Sequence, residues 1–161
     1  MRIAIIADTH LPRGGRQLPP RCSEEIEGAD LLLHAGDIIT GEVLEELERL
    51  GPPVHAVRGN LDSPELQLRL PDELSIPLDG VVVAMLHDAG PARGRLGRMR
   101  RRFPQANAVV FGHSHMPLHE EEDGFQIFNP GSPTQRRRAP GHSMGLAEVS
   151  GGQINFRHVE L

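Results

Sequence analysis

At 161 residues the chain is close to the commonest single-domain size, and a domain of this length buries roughly two-thirds of its unfolded surface without disulfides or a partner. Hydrophobic residues make up 38% of it, no apolar run approaches the ~18 residues of a membrane span, and no basic-then-apolar leader precedes the first strand, so a cytoplasmic protein without a membrane partner is expected. The lone Cys22 excludes an internal disulfide and a metal site built from thiolates, and the net charge of −5 argues against a general nucleic-acid binder.

The opening MRIAIIADTH is an apolar run that stops at Asp8, the pattern of a strand buried on both faces. ADLLLHAGD and PPVHAVRGN repeat the design, and between them GEVLEELERLG carries Val43, Leu44, Leu47 and Leu50 at helical spacing before a glycine. Strand, helix and strand in this order predict a parallel sheet. LSIPLDGVVVAMLHD reads as two strands turning at Asp79-Gly80, and ARGRLGRMRRRF reads as a helix. NAVVFGH is a further buried strand, HMPLHEEEDGFQIFNPG a strand pair turning at Asp123-Gly124, and SMGLAEVSGGQINFRHVE a hairpin around Gly151-Gly152. The expected class is α/β, a single domain over residues 1–161, with two stacked sheets and helices outside.

The polar residues gather where these strands end. The first run ends in Asp8-Thr9-His10, the second in Gly36-Asp37, the third in Gly59-Asn60, and the later ones in His87-Asp88 and Gly112-His113-Ser114-His115. In open α/β sheets ligands bind outside the carboxyl ends of the strands. Each residue alone has a plainer reading, as a cap, a turn residue or a hydrogen-bonded core histidine, but five coincident endings argue for one site. Gly36, Gly59 and Gly112 each precede a candidate, where a missing Cβ permits unusual backbone angles or close approach.

Asp8, His10, Asp37, Asn60, His87, His113 and His115 are therefore candidate metal ligands. One ion takes about four to six donors, so seven suggest two ions. Imidazole-rich sites suit manganese, iron, cobalt, nickel or zinc better than calcium or magnesium. Two divalent ions, two aspartates and one hydroxide leave a net positive charge, which favours an anionic substrate such as a phosphate ester.

All seventeen basic residues are arginine; six lie between Arg93 and Arg102, and Arg136, Arg137 and Arg138 form a triplet. A solvated helix face and an exposed loop explain them as well as phosphate contacts do. With five phenylalanines as the only aromatics there is no evident base-stacking platform, so a nucleic-acid partner is not indicated, while a homo-oligomer is compatible with the composition.

In order and rough spacing, D-x-H at Asp8 and His10, G-D at Asp37, G-N at Asn60, the strand-ending His87 and G-H-x-H at His113 and His115 resemble the calcineurin-like metallophosphoesterases. NPGS at Asn129 to Ser132 and the following RRRAPGHSMGLAEV are most similar to the small bacterial and archaeal phosphodiesterase group. The resemblance implies a four-layer α/β/β/α sandwich and a dinuclear centre, manganese foremost, with Asp8, His10, Asp37 and His115 on one ion and Asp37, Asn60, His87 and His113 on the other. It implies catalytic roles for Asp37, Asn60 and His87, and attack on a small phosphodiester or nucleotide-type substrate by a hydroxide held between ions roughly 3.5–4 Å apart. Arg136, Arg137, Arg138 and His142 are candidate substrate contacts, and Asp62 and Asp88 candidate carboxylates behind the ligands, Asp88 either orienting His87 or simply solvated. Many family members carry histidine after the G-N asparagine, where this chain has Leu61, which cannot donate a proton; loss of such an acid costs about 10²–10⁴-fold. That favours diesters over unactivated monoesters. The competing reading is a scaffold on the same fold, since the retromer scaffold subunit resembles this family with a degenerate metal site.

Overall fold

The computed structural model describes all 161 residues. Strands β1 (Arg2–Ile6), β2 (Leu31–His34) and β3 (Val54–Ala56) run parallel, joined by α1 (Pro20–Glu27) and α2 (Gly41–Glu48). β9 (Ser143–Ser150) lies antiparallel against the other side of β1, with Ile5 opposite Gly145, and β10 (Gln153–Glu160) closes the sheet in the order β10-β9-β1-β2-β3. The second sheet is β4-β5-β6-β8-β7: β4 (Glu73–Leu78), β5 (Val81–Leu86), β6 (Ala108–Val110), β7 (Leu118–Glu122) and β8 (Phe125–Asn129). Here β5, β6 and β8 are mutually parallel, and α4 (Arg95–Arg102) makes the β5–β6 crossover. The short α3 (Pro64–Arg69) follows β3, its Ser63 cap accepting the Leu66 N–H.

The apolar runs are continuous because both faces of the central strands are covered. In β1, Ile3 and Ile5 join the core between the sheets, while Ala4 and Ile6 pack with Cys22, Ile26 and Leu47 under the helices. On the far side Ala84, Val109 and Ile127 meet Met99 and Phe103 at α4. The result is the expected helix, sheet, sheet, helix layering, two mixed sheets flanked by helices.

One strand departs from its sequence reading. PPVHAVRGN predicts a strand buried like β1, but β3 is three residues long at the sheet edge, with Val54 half-buried and His55 exposed. An edge strand has only one neighbour, and the alternation in Val-His-Ala marks its open face. All four helices are short, and none is long and apolar enough to cross a membrane.

Candidate metal centre

Parallel strands point their carboxyl ends the same way, so the segments after β1, β2 and β3 converge at one end of the first sheet. Those after β5 and β6 meet them from the second. Backbone bonds clamp the junction, Asp8 N–H to the Gly36 carbonyl at 2.9 Å and His10 N–H to the Asp37 carbonyl at 3.0 Å. The chain then turns sharply: Asp8 (φ 56°), His10 (50°), Asp37 (59°), His113 (67°) and His115 (59°) all adopt the left-handed region. For residues with a Cβ this costs roughly 1–2 kcal/mol each, a strain typical of functional sites. Of the two roles expected for the preceding glycines, unusual angles hold only at Gly36 (φ 92°). Gly112 serves close approach instead, since a Cβ there would lie 2.9 Å from Asp8 Oδ2, and one on Gly59 would overlap Asp37.

Around these turns all seven candidate ligands come together. Asp8, His10 and His115 form one group, with His115 Nε2 at 3.4 Å and His10 Nε2 at 3.9 Å from Asp8 Oδ1. His87 Nε2 and His113 Nδ1 approach Asn60 Oδ1 at 3.1 and 3.0 Å on the other side. Asp37 Oδ2 lies between, 3.1 Å from His10 Nε2 and 3.5 Å from His87 Nε2, while its Oδ1 accepts the Leu61 N–H. His113 and His115, one residue apart, thus face opposite halves of the centre. Asp8 is shared, because its carboxylate also clusters with Asp37 and His87.

The two aspartates differ sharply in electrostatics. Burial would raise Asp37, but hydrogen bonds from His10 and His87 outweigh it and hold the carboxylate well below its ordinary range. Asp8 is 0% exposed, and burial pushes it up to about 7 against the pull of His87. Neither Asp8 oxygen has a hydrogen-bond partner, nor has the buried Nε2 of His115. The Nδ1 of His115 donates to the Gln135 carbonyl, so that Nε2 is a bare lone pair aimed at a carboxylate. Two lone-pair donors facing each other in a dry site are costly unless a cation lies between them, and these residues fit a divalent ion.

The residues around the ligands sort differently from the sequence reading. Asp62 is buried and accepts from the Ile39 and Gly59 N–H groups at 2.7 and 2.6 Å, tying the Asp37 turn to the Asn60 turn. Asp88 does not orient His87, whose Nδ1 donates to the Ala35 carbonyl at 2.8 Å. It is exposed, bonded to the Gly90 N–H, with its other oxygen 3.9 Å from His113 Nε2. Of the triplet, Arg137 reaches the centre, donating to the His113 carbonyl at 3.4 Å, while Arg136 turns back to Ala139 and Arg138 is exposed with no bonded partner. His142 lies beside the start of β9, its carbonyl accepting from Leu161 N–H, and its side chain bonds to none of the ligands. The Arg93–Arg102 cluster is largely spent within the fold, Arg95 and Arg98 on loop carbonyls, Arg100 on Asp123 and Arg102 on Glu73.

Several contributors were not singled out from sequence. Ser132 Oγ donates to the Asp8 carbonyl and Thr134 Oγ1 to the Thr9 carbonyl at 2.5 Å, so the segment after β8 straps the first ligand turn from the second sheet. His34 is fully buried behind Thr9, and burial drives its imidazole down to about 3. Ending an apolar strand, it met the same criterion that drew attention to His87. A cleft of about 440 Å³ opens beside Asn60, His87 and His113, walled by the Arg58–Asp72 and Arg102–Glu73 pairs.

Residues 1–152 match the calcineurin-like phosphoesterase superfamily domain. The chain belongs to that superfamily. As a calcineurin-like phosphoesterase it is 32% identical over 139 residues to a probable metallophosphoesterase of Methanothermobacter thermautotrophicus, an overlap covering 85% of this chain and 80% of the relative. It is 27% identical over 144 residues to a phosphodiesterase of Methanocaldococcus jannaschii, covering 81% and 83% of the two chains. Its fold is shared with Vps29 from Entamoeba histolytica, solved with Zn²⁺, at a TM-score of 0.79, 21% identity and 99% coverage of both chains. A structure described as a novel archaeal phosphodiesterase superposes with a TM-score of 0.76 at 21% identity and full coverage of both.

Proposed function

We propose that this calcineurin-like phosphoesterase, acting in the cytoplasm as one domain over residues 1–161, is a phosphodiesterase that works with two divalent transition-metal ions, manganese foremost and iron, nickel, cobalt or zinc as alternatives. The observation that carries this reading is the buried Asp8 carboxylate and His115 Nε2, unpartnered and facing each other beside five further donors. Such ions supply a hydroxide nucleophile at neutral pH and neutralise charge on the phosphoryl oxygens.

The chain's own residues do the rest. Asp8, His10, Asp37 and His115 hold one position, and Asp37, Asn60, His87 and His113 the other, with Asp8 near enough to both to support either. Asp37 stays ionised between them, and the Leu61 and Asp62 contacts fix its turn. The Arg137 guanidinium at the rim adds a cation for a phosphate oxygen to meet. Leu61 contributes its backbone N–H and no proton donor, which restricts the reaction to esters whose alcohol leaves without strong acid assistance. A small phosphodiester is accordingly the preferred substrate.

The test is the initial rate on an activated aryl phosphodiester, measured with manganese, after chelation and dialysis, and after adding the ion back. A rate that disappears and returns supports the hydrolase. Vps29 among the fold neighbours favours a second reading, a scaffold on the same sandwich. Silence with manganese, nickel, cobalt and zinc on protein shown to carry its ions would transfer the assignment to it.

A further inference from the structure

We propose that His34 is a positioning residue for the metal-ligating turns: its ring, fixed in one tautomer, ties Gly36 to Thr9 and so holds Asp8, His10 and Asp37 in place. The inference rests on the reading of these residues as metal ligands. The tautomer follows from the hydrogen bonds. A backbone N–H can only donate, and that of Gly36 points at His34 Nδ1 at 3.2 Å, so Nδ1 is the acceptor. The proton is on Nε2, which faces Thr9 Oγ1 at 3.1 Å and donates to it. The Thr9 hydroxyl in turn donates a hydrogen bond to the Asp37 carbonyl at 3.4 Å.

The three bonds form a closed brace. Thr9 sits between the candidate ligands Asp8 and His10, and Gly36 directly precedes Asp37, so one ring spans both ligand turns from behind. His34 is on β2, opposite Ile6 and Ala56, and is 0% exposed, so water cannot replace either bond. Backbone bonds join the two turns directly, and the ring adds a side-chain contact on each, to Thr9 between the left-handed Asp8 and His10 and to Gly36 before the left-handed Asp37. An imidazole in this place is a buried polar group with both nitrogens satisfied, among apolar neighbours that would otherwise favour leucine or isoleucine.

Two substitutions separate the halves of the brace. His34→Asn keeps an acceptor near Nδ1 and loses the donor to Thr9; His34→Gln keeps a donor near Nε2 and loses the acceptor for Gly36. Each is expected to weaken Mn²⁺ binding, read by calorimetry on metal-stripped protein, about 10–100-fold. Each is also expected to shift the visible spectrum of the Co²⁺-loaded protein. Thr9→Val should act alike alone and add little on top of His34→Asn, because both remove the His34–Thr9 bond and Thr9→Val loses besides it only the long 3.4 Å bond to the Asp37 carbonyl. If the His34 variants do not fold, Thr9→Val carries the test by itself. Folded variants that bind Mn²⁺ within twofold of wild type, with unchanged Co²⁺ spectra, overturn the proposal and leave the metal reading standing. Wild-type protein that binds no ion overturns both.

Discussion

Replacing Asp8 by asparagine should stabilise the metal-free protein by an amount that grows as pH rises from about 4 and is complete at neutral and alkaline pH. The unfolded carboxyl titrates near 3.8, while in the folded, ion-free chain burial pushes it up to about 7. Below pH 3.8 the group is neutral in both states and imposes no penalty. Between 3.8 and 7 the folded protein keeps a proton that the unfolded chain has released, so folding stability from this group falls as pH rises and is fully lost above 7. At about 1.4 kcal/mol per pH decade the loss is on the order of 4 kcal/mol, or a melting temperature lower by roughly 10 °C in a chain of this size. Asparagine never ionises, and its amide can donate to the bare His115 Nε2, 3.4 Å from the oxygen it replaces. Thermal and denaturant melts of both proteins from pH 4 to 9 in chelator should therefore coincide near pH 4, diverge progressively up to about pH 7 and stay separated by a constant amount above it, the variant being more stable. Saturating Mn²⁺ should invert the order, because only the carboxylate binds it well. A difference independent of pH, or a less stable variant at pH 8 without metal, would refute the reasoning.

Asp37→Asn should lower diesterase activity by at least about a hundredfold with the fold intact by circular dichroism, since the residue serves both ion positions; a loss below tenfold counts against the assignment. Leu61→His should raise monoesterase activity relative to diesterase activity, and an unchanged ratio would remove the missing acid as the reason for diester preference. Arg137→Ala should raise KM severalfold and flatten its salt dependence while Arg138→Ala does neither, because only Arg137 reaches the His113 loop; equal effects would place both on the solvated surface.

Much of this was legible in the sequence because buried parallel strands write themselves as apolar runs, and the residues that follow such runs gather at one end of the sheets. Asp8, Asp37, His87 and the His113-His115 pair follow such runs and lie together, whereas His34 also ends one and sits behind them. This pattern said less where burial was one-sided, as at β3, whose His55 points away from the core. It was silent on contacts made through backbone atoms. Nothing marks Ser132 or Thr134 as partners of the Asp8 and Thr9 carbonyls, 124 and 125 residues away, because a hydroxyl reads the same wherever it bonds. For Asp88 the sequence leaves two readings open, and the structure favours the solvated one: its carboxylate takes the Gly90 N–H while His87 Nδ1 turns to the Ala35 carbonyl. The glycines were legible only as a pair of roles, since a glycine motif does not tell whether glycine is wanted for its φ, as at Gly36, or for its missing Cβ, as at Gly59 and Gly112.

The pairing of β1 with β9 ties the first ligand to the last part of the chain. Every candidate donor lies at or before His115, yet β1, which carries Asp8 into position, is an interior strand only because Ser143–Ser150 lies along its other side. A ribosome that has released residues 1–115 has delivered the whole donor set but not the strand that completes β1, nor the Ser132 and Thr134 strap. On the proposed metal reading, ion capture would wait for the emergence of a hairpin that supplies no donor. Truncation before Ser143 should leave a chain that contains every ligand and assembles no centre.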